Sequence, residues 1–263
     1  MNRKTSKMLK FFMPIPAFLA AFLPFAALAD TFWTGAGETS DWNDSGNWYS
    51  SGGNYVFGGN QVSSLPDVDP IVVTFSTPVS VSGGIWIEND TKPDVVWRLA
   101  EGAAEGAGLT TSFTSSKWGK AINVGTGKHG GLTIEGGVYY FPSELWIGNG
   151  EANSYFTING GIFTNNSYTC IGYGGYDRIG TMTVDGGTYR QNSNTFIVGQ
   201  GNHSGCKGVF NLVSGSVDTA ANATCSENQG TSEMNISGGS FKVGGQLMLA
   251  EGKTSCSNKE GRP

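Results

Sequence analysis

Three oxygen-bearing side chains, Glu135, Asn159 and Asp185, fall at one point of a recurring phrase, each just before a pair of glycines. Stacked in a column they would offer the oxygen ligands of a calcium site. With an arginine such as Arg190 to take a proton from a sugar, they would also suit polysaccharide elimination chemistry. Calcium takes six or more oxygens, so outward turn residues are the simpler reading and bound Ca2+ the alternative. Arg178 and Arg190, near Asp177 and Asp185, are not set apart from ordinary solvated charges.

The other chemistry-bearing residues are no better gathered. His129 in "GKHGG" and His203 in "GNHSG" sit at matching points of the repeat. Counting coils puts them roughly 14 Å apart, too far to share a metal bound at about 2 Å. "DWNDSG", Asp41 to Gly46, begins like a calcium loop, yet the twelfth position, where a bidentate acid belongs, is Gly52; an Asp/Asn turn is the better reading. Cys170, Cys206, Cys225 and Cys256 lack C-x-x-C spacing, which leaves disulfides or buried free thiols. The nucleophile elbow, phosphate loop and H-E-x-x-H motifs are all missing. Tyr140, Tyr168, Tyr173 and Tyr176 could stack on sugar rings or pack loops.

What must position these residues is a repeat. "LTIEGGVYY", "FTINGGIF", "MTVDGGTY", "FNLVSGSV" and "MNISGGSF" begin at Leu132, Phe156, Met182, Phe210 and Met234, separated by 24, 26, 28 and 24 residues. Periods in this range mark a solenoid. Alternation with a small polar residue pairs these with Ile134, Ile158, Val184, Leu212 and Ile236 on the buried face of a β-strand. The glycines that follow, Gly136-Gly137, Gly160-Gly161, Gly186-Gly187 and Gly238-Gly239, supply corners. Always seven residues after the first apolar one comes Tyr139, Phe163, Tyr189, Val217 or Phe241. Constant spacing across the corner makes both sides face one interior.

A second phrase, "INVGTG", "WIGNG", "CIGYGG", "FIVGQG" and "LMLAEG", with "TCSENQG" as a degenerate copy, completes each coil. The predicted fold is all-β: a right-handed parallel β-helix with three short strands per coil of about 24 residues, stacked at roughly 4.8 Å. Residues 70–252 hold six or seven coils, on the reading that "VSVSGGIW" (79–86) repeats the first phrase and "WRLAEG" (97–102) the second. Residues 30–69 form an N-terminal cap built on Trp33, Trp42 and Trp48. The polar tail 253–263 is too short to cover a coil. The repeat stops at a coil boundary, which favours a longer parent chain; the alternatives are a raw end or end-to-end self-association at the uncapped C-terminal coil.

Residues 1–29 read as a signal peptide: Arg3, Lys4, Lys7 and Lys10, an apolar run from Phe11 to Leu28, and an A-x-A site at Ala27-Leu28-Ala29. Removing them takes four of 16 basic residues and none of 21 acidic ones, moving the net charge from −5 to −9. Such an acidic chain disfavours nucleic acid and anionic lipid, and no later stretch is apolar enough to span a membrane.

The opening Trp33-Thr34-Gly35-Ala36-Gly37 through Trp42 to Asn47-Trp48, followed by T-I-x-G-G and I-G-x-G coils, resembles exported bacterial β-solenoid proteins of the autotransporter-passenger type. That resemblance implies a non-enzymatic, secreted or surface-associated protein that adheres or forms a structural layer, contacting polysaccharide or envelope components outside the cell or, failing that, in the periplasm. A complete autotransporter ends in a membrane β-barrel, and no barrel strands follow residue 252. A pectate-lyase-like enzyme and a carbohydrate-binding module are the competing expectations.

Overall fold

The computed structural model describes residues 30–49, 54–58, 70–88, 94–114, 120–126, 129–149, 153–174, 178–201, 205–249 and 256–258. The leader 1–29, Tyr176, His203 and most of the tail lie outside them.

The chain forms a parallel β-solenoid of about seven turns built from two sheets. One is bent along its length into two arms. Its first arm stacks Ile71–Phe75, Val95–Leu99, Gly130–Ile134 and Ser154–Ile158 in order. Its second arm stacks Pro78–Val81, Gly108–Thr111, Val138–Phe141 and Ile162–Asn165. Two long strands, Ile179–Gln191 and Lys207–Thr219, run through the bend and belong to both arms. The other sheet closes each coil: Tyr55–Gly58, Ile85–Glu88, Lys120–Thr126, Glu144–Asn149, Thr169–Gly174, Phe196–Gly201, Ala223–Asn228 and Leu247–Leu249.

Register follows the repeat. Leu132, Phe156, Met182, Phe210 and Met234 stack in one column, and Tyr139, Phe163, Tyr189, Val217 and Phe241 in another. All are buried except Phe241, which is partly covered and packs on Phe196 and Phe210. Ile134, Ile158, Val184 and Leu212 continue the core, but Ile236 is 39% exposed, against its expected core position. Cys256–Asn258 pairs over Ser232–Met234, and among the described residues no strand pairs over Ile236 on that side.

Two alignments made from the sequence are out of phase. Val79 stacks under Leu109 and Tyr139 on the second arm, and Trp86 lies in the closing sheet opposite Asn123. Trp97 is a first-arm residue in register with Ile134, not with the closing strand Leu247–Leu249. Strand, glycine corner and aromatic recur at more than one corner of each coil, so the motif fixes the period and leaves the phase open. The tryptophan-rich segment is continuous with the solenoid. Tyr55–Gly58 pairs in parallel with Ile85–Glu88, and Thr31–Trp33 pairs on Tyr55–Gly58. Trp42 stacks on Phe75, and Trp48 donates its indole N–H to the Trp42 carbonyl at 2.8 Å.

The solenoid interior also holds polar groups. Asn165, Gln191 and Thr219 stack in one buried column on the second arm. Asn165 Nδ2 donates to the carbonyls of Ser167 and Tyr168, and Gln191 Nε2 to those of Ser193 and Asn194, satisfying turns that lie outside either sheet. Tyr189 joins this network, donating to Asn165 Oδ1 at 2.6 Å and contacting the Thr169 hydroxyl. The Tyr139 hydroxyl, equally buried, has no hydrogen-bond partner among the described residues.

Backbone packs closely at the seam between each closing strand and the first arm. Gly125, Gly148, Gly172 and Gly199 have φ between 68° and 75°, the left-handed region, and Ser226 takes the same place with φ 55°. A Cβ on Gly199 would lie 2.1 Å from the Thr231 carbonyl oxygen. Opposite them stand Gly130, Gly180 and Gly208; a Cβ on Gly208 would meet Gly199 N at 2.2 Å and the Ile171 carbonyl at 2.3 Å.

Gly199→Ala is therefore expected to cost about 3 kcal/mol or more, combining left-handed strain with backbone overlap. Gly102→Ala, at φ +70° with open space around it, should cost only about 1–2 kcal/mol for the strain. Urea midpoints at constant m compare them; equal shifts would refute the packed seam. The tyrosines give a second expectation. Tyr139→Phe should leave stability unchanged or raise it by about 1 kcal/mol, whereas Tyr189→Phe should lower it by about 1–3 kcal/mol, because its buried partners lose their hydrogen bond. Burial pushes both phenols well above their usual range, with the Thr169 hydrogen bond partly opposing this at Tyr189. The unfolded phenols ionise near pH 10, so the folded state keeps its full stability below about pH 10 and loses about 1 kcal/mol per pH unit per tyrosine above it. Unfolding measured between neutral and strongly alkaline pH tests the sign.

Candidate functional site

The left-handed residue at each seam also shapes the outside. In a regular strand successive side chains alternate between faces. Along the closing sheet Ile147, Ile171, Val198 and Cys225 point inward, while Trp146, Cys170, Ile197 and Thr224 form an outward column in register. The glycine interrupts the alternation, as a bulge does, and the residue after it faces out as well: the Tyr173 ring meets Trp146 at 4.3 Å, and Cys170 Sγ donates to Gln200 Oε1 at 3.3 Å.

Three outward columns therefore run side by side and enclose a groove of about 550 Å³. Its floor is Trp146, Cys170, Ile197, Thr224 and Met248; one wall is Glu144, Tyr168, Thr195 and Asn222, and the other Gln200 and Glu227. Floor residues lie one coil apart, so the groove follows the solenoid axis for roughly 20 Å. Trp146, Cys170 and Ile197 pack into an apolar cluster separate from the interior core. Trp146 Nε1 donates to Glu144 Oε2 at 2.8 Å. The Thr224 hydroxyl, with the residue 1% exposed, has no hydrogen-bond partner among the described residues.

The residues first suspected of chemistry are placed elsewhere. Glu135 pairs with Arg98 at 3.0 Å, and Asp185 accepts from Ser214 Oγ at 2.9 Å. Asn159 is exposed, and exposed Arg190 sits on the second arm in register with Thr164 and Asp218. Among the described residues, no three His, Cys, Asp or Glu side chains gather as a metal would need. His129 sets Nε2 3.2 Å from Asp94 and Nδ1 2.6 Å from the Asn153 carbonyl, tying adjacent coils. In "DWNDSG" the carboxylates take backbone amides: Asp41 accepts from Asn43 N and Ser76 N, and the Thr39 and Gly46 amides hold the Asp44 carboxyl below its usual range. Cys170, Cys206 and Cys225 are buried, Cys170 facing the groove and Cys225 the core; burial pushes the Cys206 thiol up to about 11.

Of the groove residues, Tyr168 alone among its lining aromatics stood out from the sequence as a sugar-stacking candidate, together with neighbouring Tyr173. A signal for the rest existed. "LWIG", "CIG" and "FIVG" are continuous apolar runs, unlike the alternating first phrase, and such runs mark strands covered on both faces.

Compared with protein-family models, curated proteins and solved structures, the chain matches none. Among the described residues no helix is long and apolar enough to cross a membrane.

Proposed function

We propose that this β-solenoid is a non-enzymatic exported protein, an adhesin-like or structural element acting at or beyond the cell envelope in the manner of an autotransporter passenger. The observation that carries the reading is that the carboxylates suited to lyase chemistry are engaged along the solenoid surface, Glu135 with Arg98 and Asp185 with Ser214. General acid–base catalysis needs groups within reach of one reacting bond, and the repeat distributes these over successive coils. The signal-peptide pattern at residues 1–29 supports export. A carbohydrate-binding role without chemistry is the second reading, favoured by the axial groove.

The purified chain, incubated with plant and bacterial polysaccharides, is expected to release no oligosaccharide by reducing-end assay or mass spectrometry. Release would overturn the reading; its loss in Asp185→Ala or Arg190→Ala would then locate the chemistry on those residues. In source cells the protein is expected outside the inner membrane with Asp30 as its first residue. An uncleaved protein in the cytosol would refute export.

A further inference from the structure

The closing-sheet groove is a concavity whose residues the proposed non-enzymatic role leaves unassigned, and its construction restricts what it can take. The floor strands that carry Trp146, Cys170, Ile197 and Thr224 are each paired on both sides with neighbouring coils, so along them the backbone is committed and cannot accept an added peptide strand; among the described residues the strand that carries Met248 is paired on one side. Recognition has to come from side chains. The floor is apolar around Trp146 and Ile197, and the walls carry the oxygens and amides of Glu144, Asn222 and Glu227. This is the mixture that holds a ligand with both C–H faces and hydroxyl groups. The buried Thr224 hydroxyl, lacking a partner among the described residues, is an independent sign of a missing polar contact. Glu144 and Glu227 stand on opposite walls, and the chain as a whole is acidic, with a net charge of −5, which disfavours anionic ligands.

We infer that the groove binds a neutral oligosaccharide lying along the solenoid axis, with a sugar ring against Tyr168 and a sugar hydroxyl paired to Thr224. Tyr168, 39% exposed, offers the accessible ring at the groove edge. The inference deepens the carbohydrate-binding reading and stands apart from the question of enzymatic release.

The test uses the full processed chain and oligosaccharides of β-linked glucose and of β-linked N-acetylglucosamine, with oligogalacturonate as the anionic comparison, followed by calorimetry and tryptophan fluorescence. Saturable binding of a neutral chain is expected, with the anionic chain weaker. Thr224→Val and Tyr168→Ala should each weaken it about tenfold without lowering the melting temperature, and Lys242→Ala on the second arm should leave it unchanged. No saturable binding of either neutral chain, a preference for oligogalacturonate, or unchanged affinity in both groove variants would overturn the assignment. Product release with groove binding intact would overturn only the non-enzymatic reading.

Discussion

The structure depends on one close approach, the seam where a first-arm residue of one coil wedges between the closing strands of earlier coils. Gly180 lies against Gly172 N and the Ile147 carbonyl, and Gly208 against Gly199 N and the Ile171 carbonyl, at distances that leave no room for a Cβ. Backbone contact of this kind cannot slide, because a one-residue slip would move every inward side chain to the outer face. The seam thereby fixes the register that stacks Leu132 on Phe156 on Met182. Where serine replaces glycine, polar pairing takes over: Ser154 Oγ accepts from Gly130 N at 3.1 Å, and the Ser226 and Ser232 hydroxyls meet at 2.7 Å.

With register fixed, the interior becomes a set of columns whose members can vary if volumes compensate. Aromatic rings touch from Trp42 through Phe75, Trp97 and Tyr139, and again from Phe141 through Phe163, Tyr189 and Phe196 to Phe210 and Phe241. Apolar cover alone would leave the turn carbonyls unpaired, and the buried column of Asn165, Gln191 and Thr219 supplies donors at that point. Each polar residue replaces an apolar one at the same register, such as Phe141 one coil earlier, so the polar corner is a local variation on the core.

The period, the parallel stacking and the paired apolar columns were legible because each rests on local alternation and constant spacing, visible at Leu132-Thr133-Ile134 and its copies. Phase was harder to read. Val79 and Trp86 imitate the first phrase because more than one corner of the solenoid combines an apolar strand with glycine, and only the pairing of Val79 with Leu109 separates the cases. Ile236 shows a different limit. Its sequence context matches Leu212, yet burial needs a coil on each side, a property of its neighbours. The candidate groove was nearly invisible for a third reason: a left-handed residue breaks the two-residue period, so Gln200 and Glu227 face outward on a count that alternation alone gives as inward.

Repetition shapes the chemistry available to such a surface. Stacking places like positions on straight lines at one coil spacing, which suits a ligand that is itself extended and repetitive; catalysis instead asks unlike groups to converge on one bond. Thr133, Thr157 and Thr183 give way to Asn211 and Asn235, whose side chains simply extend the hydrogen-bonded line, Asn211 to Thr183 at 3.2 Å and Asn235 to Asn211 at 2.9 Å. The groove column breaks that uniformity. Passing from Trp146 to Cys170, Ile197 and Thr224, side-chain volume falls, rises and falls again while the backbone register holds. Depth along the groove is set by single residues, and a repeating scaffold acquires a particular binding shape through substitutions that leave its seam untouched.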